Sequence, residues 1–463
     1  MTEQLKLKLN DSKATRWGAL VIVAFTMMAA YYVNDVVAPL KTMLETDLAW
    51  SSTDFGFFTG GYSFLNVFFL MLIWGGLILD RFGIRFTGKL ATILMVGGTA
   101  LEYYAMTGLA GADATLFGIN EIFGYKTGVF VAFAGYSIFG VGAEVAGITV
   151  SKIIAKWFKG KELATAMGVQ VALARIGSQA GYAVAIPLAR AFGISTPALL
   201  GLVLLLGGMI AFFVFAVMDK KLDKQMEAAA IAAGTEDEEE KFSFKDVKNI
   251  LVNPGFWLIA LLCVLFYSCV FPFQKFASEL MIIKYGINEN VAGTFAGLPA
   301  LGALILTPVF GGFIDKRGKS ASIMLLGSAM LICVHFIYAI PDINYWLVAI
   351  VLMIILGIAF SLVPSAMWPA VAKIFPVSQL GTAYALIFFI QNIGLWGIPT
   401  LIGWVLDAYC ISGKKPDGTN MYDYTVPMCI FTGIACLSLI VALLLKKADK
   451  KYGYKLEEPN IQK

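Results

Sequence analysis

Charge is what this chain has least of. Only 14% of its 463 residues are Asp, Glu, Lys or Arg, and 59% are hydrophobic, whereas soluble domains run at about 25% and about 45–50%. A soluble fold could not hide that much apolar surface, so lipid must be the solvent for most of the chain. The mean hydropathy of +0.78 agrees. Histidine is nearly missing; the single His335 reads as a packing residue. No H-E-x-x-H, G-x-S-x-G or phosphate-cradling glycine loop occurs, which speaks against an enzyme and leaves no expected cofactor or metal. The six cysteines lack metal or redox spacing. Cys263, Cys269, Cys333 and Cys436 lie in apolar runs, while Cys410 and Cys429 could meet on the outer face as a disulfide. No polar domain is large enough to signal, which argues against a pure receptor. The N-terminal stretch MTEQLKLKLNDSKATRW is too polar for a signal peptide and reads as a cytosolic tail. Nothing marks a nucleic acid partner. The expected partners are the lipid bilayer and a small molecule, and no accessory subunit can be read.

What is present is a series of long apolar runs. A bilayer core of about 30 Å needs about twenty apolar residues per helix. Twelve runs meet that need, near 16–38, 53–79, 86–108, 126–152, 163–189 and 195–218, then 256–283, 290–314, 320–340, 345–374, 379–406 and 424–446. The expected fold is therefore an all-α membrane protein with twelve transmembrane helices in two pseudo-symmetric six-helix bundles. Of the 35 Lys and Arg, only Lys41, Lys126, Arg190, Lys284, Lys414 and Lys415 fall in outer loops if the N-terminus is cytoplasmic, and Arg175 and Lys275 fall within helices. All the rest lie inside, which fixes both termini there. The organisation follows: a tail at 1–15, a bundle at 16–218, a charged linker at 219–253 containing TEDEEEKFSFKD, a second bundle at 254–446 and a tail at 447–463.

The halves repeat each other. GGLILDRFGIR (Gly75–Arg85) follows the second run and GGFIDKRGK (Gly311–Lys319) the eighth, so Gly76, Asp80 and Gly83 match Gly311, Asp315 and Gly318 at a constant offset. A second block pairs Gly140 with Gly357, Lys156 with Lys373, Thr165 with Thr382 and Gly177 with Gly394, the change of offset marking an insertion at 109–125. The Gly-x-x-x-Asp-Arg-x-Gly-x-Arg pattern resembles the loop signature of the major facilitator superfamily. In it the glycines are expected to let helices approach, and Asp80, Arg81, Arg85, Asp315 and Lys316 to pair with helix ends on the cytoplasmic side. We read these, with Gly76 and Gly83, as gate and architecture. A transporter built of two such halves binds its substrate between them near midplane.

An ionised group at the bilayer centre needs a reason. Glu144 and Arg175 lie equally far from the FKGK turn joining runs four and five, at roughly 20 Å of helix, so both sit near midplane. The neutral polar residues expected to face them are Ser361, Gln391 and Asn392, with Trp368 beside Pro364 and Pro369 either lining the cavity or packing. A pocket of that kind suits a small ligand with both an amino and a carboxylate group; the alternative is a structural salt bridge between the two helices. Lys275 and Glu279 are spaced as a self-neutralising i, i+4 pair. Asp35 is either a pocket mouth or an interface anchor, and Glu102 carries no clear assignment.

Beyond the loop signature, GVGAE, WFKGKEL and ARIG in the first half, and VFPF, DKRGK, MWPAVA and QLGTAYALIFFIQNIG in the second, resemble the lysosomal dipeptide transporter branch of that superfamily. The resemblance implies a facilitative dipeptide uniporter in which Glu144 meets the peptide amino terminus and Arg175 its carboxylate. A small organic anion held by Arg175, with Glu144 carrying a proton, is the competing expectation. The short tail shows no acidic dileucine signal, and Asn10-Asp11-Ser12, the one glycosylation sequon, falls on the cytosolic side. These features point to a prokaryotic plasma membrane over a lysosomal one.

Overall fold

The computed structural model describes residues 8–111, 114–158, 161–233 and 244–459. In chain order the first half contributes α1 (Lys13–Val36), α2 (Lys41–Leu48), α3 (Ser52–Phe68), α4 (Met71–Thr107), a hairpin of β1 (Glu121–Ile122) and β2 (Tyr125–Lys126), α5 (Thr127–Trp157), α6 (Leu163–Phe192) and α7 (Thr196–Ala233). The second half contributes α8 (Phe244–Val252), α9 (Pro254–Tyr285), α10 (Glu289–Ala296), α11 (Leu298–Arg317), α12 (Ser320–Ala339), α13 (Trp346–Ile374), α14 (Val377–Tyr409), a hairpin of β3 (Ile411–Lys414) and β4 (Asn420–Tyr422), and α15 (Thr425–Tyr452).

Among the described residues, nine helical stretches are long and apolar enough to cross a membrane, and the bent pair α3–α4, with 58° between its members, makes ten. Two further spans complete the expected twelve. One comes from α4 itself, which leaves helical geometry at Gly83 (φ 75°). Its neighbours on α5 show that the chain turns back there. Gly75 meets Val145 and Asp80 meets Lys152, but beyond Gly83 the contacts return from Gly142, against Ala91 and Met95, to Gly135, against Gly98. The other is α6, which is long enough but has its apolar run interrupted by Gln170, Arg175 and Gln179.

Helix ends follow local chemistry. At α3, the Ser51 hydroxyl accepts from the Asp54 amide while the Asp54 carboxylate accepts from the Ser51 amide, a reciprocal cap. At α9, Asn253 caps, Pro254 occupies the first turn and Gly286 closes the helix at positive φ.

Glycines set how the helices pack, and they do so twice. A Cβ on Gly140 would lie 2.0 Å from the Tyr62 carbonyl, bringing α5 against α3; its repeat partner Gly357 brings α13 against Pro299 and Gly302 of α11. A Cβ on Gly177 would lie 2.1 Å from the Met28 carbonyl, so glycine there brings α6 against α1, and its partner Gly394 brings α14 against Val264 and Ser268 of α9. The repeat found in sequence is thus a repeat of helix crossings. Between the halves, Gly56 and Gly60 of α3 take the backbone of Pro399 and Trp396 on α14, while Gly293 and Gly297 take α6 at Tyr182 and Gln179.

The expected linker at 219–253 is helical at both ends. Helix α7 runs on to Ala233, and Phe244–Val252 is helical. The intervening 234–243, with most of the acidic run, lies outside the described residues, as do 1–7 of the N-terminal tail, Lys159 and Gly160 of the α5–α6 turn, and 460–463. Cys410 and Cys429 are both free thiols, so the suggested disulfide is not formed.

Candidate central cavity

A cavity of about 610 Å³ lies between the halves, walled by α1, α3, α5 and α6 on one side and α9, α13 and α14 on the other. Its volume falls in the usual range for small-ligand sites, about 300–1,000 Å³. It extends from Asn34 and Lys275 at the outer end down past Ser151 and Gln170.

The outer end is sealed by bonds that cross between halves. Lys41 on α2 lies 2.5 Å from Glu279 on α9 and 2.5 Å from Glu45, all three buried. Lys415 stands 3.5 Å from Glu279 and 3.7 Å from Glu45, and the Tyr424 hydroxyl donates to Glu279. The amide and hydroxyl of Thr53 both donate to Asp407 at 2.6 Å. Arg190 pairs with Glu289 and, at 2.8 Å, with Asn290. Lys275 donates to the Asn34 carbonyl at 2.6 Å and sits 3.6 Å from Asp35, whose carboxylate also accepts from Ser178.

These contacts overturn one expectation and decide another. Lys275 and Glu279 do not neutralise each other; each is paired across the seam instead. Asp35 is an interface anchor. Glu102 is buried, with its Oε1 unpartnered. His335 is packed as expected, its Nε2 3.0 Å from the Cys269 carbonyl and its ring against Phe273 and Phe431.

At the inner end, among the described residues, the ion pairs of α4 and α5 stay within the first half. Asp80 meets Lys152 at 3.0 Å, Arg85 meets Asp223 at 3.0 Å, and Lys156 meets Asp219 at 2.7 Å. Arg81 lies over the Phe82 ring at 5.5 Å. Asp315 and Lys316 close α11 at the positions equivalent to Asp80 and Arg81. Gly83 and Gly318 share a positive φ (75° and 70°), which explains glycine at both. A Cβ on Gly76 would touch nothing in this conformation, while its neighbour Gly75 makes a close approach to Val145. With the outer end closed by cross-half bonds and the cavity reaching inward past Ser151 and Gln170, the halves adopt an inward-facing arrangement.

Glu144 and Arg175 both line the cavity. Glu144 Oε1 accepts from the Tyr62 hydroxyl at 3.0 Å. That contact follows from Gly140, one turn earlier on α5, which lets the backbone of Tyr62 come close. The Arg175 guanidinium lies over the rings of Tyr31 (5.5 Å) and Phe360 (5.0 Å). Gly177 does for this side what Gly140 does for the other, pulling α1 in so that Tyr31 reaches the arginine. Among the described residues neither Glu144 nor Arg175 has an ion-pair partner, so they do not staple α5 to α6. A carboxylate with one neutral donor and a guanidinium with only rings beside it are left to share one cavity.

Of the second-half candidates, Trp368, Gln391 and Asn392 line the cavity and Ser361 does not. Trp368 stacks on Phe388 at 4.8 Å. Gln391 Oε1 is 3.5 Å from the Cys263 thiol. Asn392 donates to the Phe388 carbonyl at 2.9 Å, leaving its own oxygen unpartnered. Ser361 is fully buried and spends its hydroxyl on the Gly357 carbonyl at 2.7 Å. Tyr31, Tyr62 and Phe360 were not singled out in sequence, although the aligned glycines mark where the first two helices must approach.

Comparison with known proteins agrees with this architecture. The family profile described as Major Facilitator Superfamily matches residues 20–399 and 276–458. The human "Lysosomal dipeptide transporter MFSD1" is 29% identical over 454 residues, covering 95% of this chain and 88% of that protein. Its Danio rerio counterpart is 27% identical, covering 93% and 86%. Among solved structures, the nucleoside transporter NupG superposes with a TM-score of 0.68 at 12% identity, covering 92% of this chain and 99% of that one. The peptide transporter POT in complex with sulfate gives 0.66 at 15%, covering 95% and 96%. The chain belongs to the Major Facilitator Superfamily.

Proposed function

We propose that this membrane transporter carries dipeptides by alternating access as a facilitative uniporter, Glu144 holding the peptide's amino terminus and Arg175 its carboxylate. One observation carries the reading: an acid and a base without ion-pair partners among the described residues face the same cavity. A zwitterion satisfies both at once, each through a charge-assisted hydrogen bond. An extended dipeptide spans at most about 7 Å, so its termini suit groups that share a wall without touching. Trp368, Gln391 and Asn392 close the site from the second half. The aromatic surroundings contact side chains without selecting charge. The names of the MFSD1 relatives support the same substrate class.

Asp80, Arg81, Arg85, Asp315 and Lys316, at the parted inner ends, would meet when the cavity closes to the inside. The proposal puts the chain in a prokaryotic plasma membrane with its inner end cytoplasmic, as the clustering of Lys and Arg at that end supports. The test is flux in proteoliposomes. Free dipeptides should exchange without a proton gradient, and N-acetylation or C-amidation should each abolish uptake. Uptake that collapses with an uncoupler and tolerates a blocked amine would instead indicate an organic anion carried on Arg175.

A further inference from the structure

The segment between α4 and α5 has no part in the cavity, yet it is built with unusual care. It contains two tight turns of the same kind. In the first, Leu116 and Ile119 exchange both backbone hydrogen bonds at 3.0 Å around Phe117 (φ 54°) and Gly118 (φ 80°). In the second, Ile122 pairs with Tyr125 around Phe123 (φ 53°) and Gly124 (φ 81°). Turns with two positive φ values normally place Asn, Asp or Gly first, because a bulky side chain is strained there. Here the first position is phenylalanine both times. The two rings are also 95% and 89% exposed, the highest values among the exposed large hydrophobic residues. Strain and exposure together mean that the segment is not folded by burying these two rings.

The hairpin has a fixed address. Tyr125 stacks on Phe57 at 3.9 Å, and Lys126 donates to the Ala49 carbonyl. Phe123 lies 5.9 Å from Phe130 in the first turn of α5, beginning a run of rings through Phe133 and Phe64 to Phe68 and Phe69. Phe68 and Phe69 are 52% and 57% exposed on an apolar membrane-crossing segment and therefore face lipid. The exposed hairpin ring is thus continuous with the lipid-facing surface. Strands of two residues carry a turn only about 7 Å beyond the helix ends. The headgroup layer is itself roughly 5–8 Å deep on each side, so the tip carrying Phe123 cannot clear it, and the Leu116–Ile119 turn is tied to the same level by the Thr127 hydroxyl, which donates to the Ile119 carbonyl at 2.8 Å.

We propose that the two Phe-Gly turns are a membrane anchor that inserts Phe117 and Phe123 into the outer leaflet. Rings of this kind settle at the boundary between headgroups and acyl chains. Because the same hairpin grips Ala49 and Phe57, the anchor also fixes the level of the α2–α3 segment that carries Lys41 and Glu45.

The test is site-specific photocrosslinking of the full-length protein. p-Benzoylphenylalanine replaces Phe117 or Phe123 in the native membrane and in nanodiscs of phosphatidylethanolamine and phosphatidylglycerol. Ile210, 63% exposed in the middle of α7, is the lipid-facing control. Adducts whose mass gain equals one phospholipid, at a yield within about threefold of the Ile210 control, are expected at both positions. Crosslinks to another polypeptide in the native membrane, or a yield at least tenfold below the control in nanodiscs, would overturn the anchor.

Discussion

Replacing Glu279 by Gln should release the outer seam. Glu279 is buried and receives Lys41 from the opposite half at 2.5 Å, together with Lys415 and Tyr424 from its own half. The substitution keeps shape and removes one charge. Lys41 retains Glu45 at 2.5 Å within its own half, so it is not left unpaired in either conformation. The Lys415 contact lies within one half and is lost in both conformations, so the difference between them comes from the Lys41 pair, which exists only while the outer end is closed. Coupling between contacting charged residues runs at about 0.5–3 kcal/mol. Taking about 1–3 kcal/mol for this buried pair, with about 1.4 kcal/mol per tenfold change, the ratio of outward-facing to inward-facing protein should rise by roughly 5- to 150-fold. Single-molecule fluorescence transfer between dyes on the inner ends of the two bundles reads that ratio directly. A change of less than twofold, or a shift toward the inward-facing form, would refute the seam as the element that holds this conformation.

Three other perturbations test separate parts of the account. Tyr62→Phe removes the hydrogen bond that orients Glu144, and should weaken dipeptide binding by about 1–2 kcal/mol in calorimetry while leaving the fold intact. Gly83→Ala forces a side chain onto φ 75° in open space, so the penalty of about 1–3 kcal/mol is backbone strain alone and should appear in unfolding by denaturant. The Asp11 carboxylate is held below its ordinary value of 3.8 by the Lys161 ammonium at 2.8 Å and then by the Lys8 amide. Its tie to the α5–α6 turn is therefore complete above that pH and lost as pH falls through the depressed value, so a spin label at Lys8 should gain mobility only below about pH 3.8.

What the sequence made legible were features with a long-range signature in one dimension. The spans show as apolar runs, and the repeat at Gly83 and Gly318 shows as an offset that the structure returns as matching positive φ. Glu144 and Arg175 stood out because lipid makes any charge conspicuous, and both do face the cavity. The errors have a common physical origin in neighbours that come from elsewhere in the chain. Lys275 and Glu279 satisfy a local helix rule, yet their partners Asp35 and Lys41 lie in the other half. Ser361 inherits its position from Glu144 by repeat, but the cavity is not symmetric and its hydroxyl turns back on its own helix. Spacing likewise does not say that Gly75 is the glycine of α4 that meets α5 in this conformation. The Phe-Gly turns were passed over because their meaning lies in backbone dihedrals and exposure.

The most direct measurement is thermal stability of the detergent-purified protein against free dipeptides, the same dipeptides N-acetylated or C-amidated, single amino acids and dicarboxylates. A ligand at about 100 times its dissociation constant stabilises the native state by about 2.7 kcal/mol. Free dipeptides should give that stabilisation, and capping either end, Glu144→Gln or Arg175→Ala should each remove it. Stabilisation by dicarboxylates with none from dipeptides would contradict a clamp on the two peptide termini.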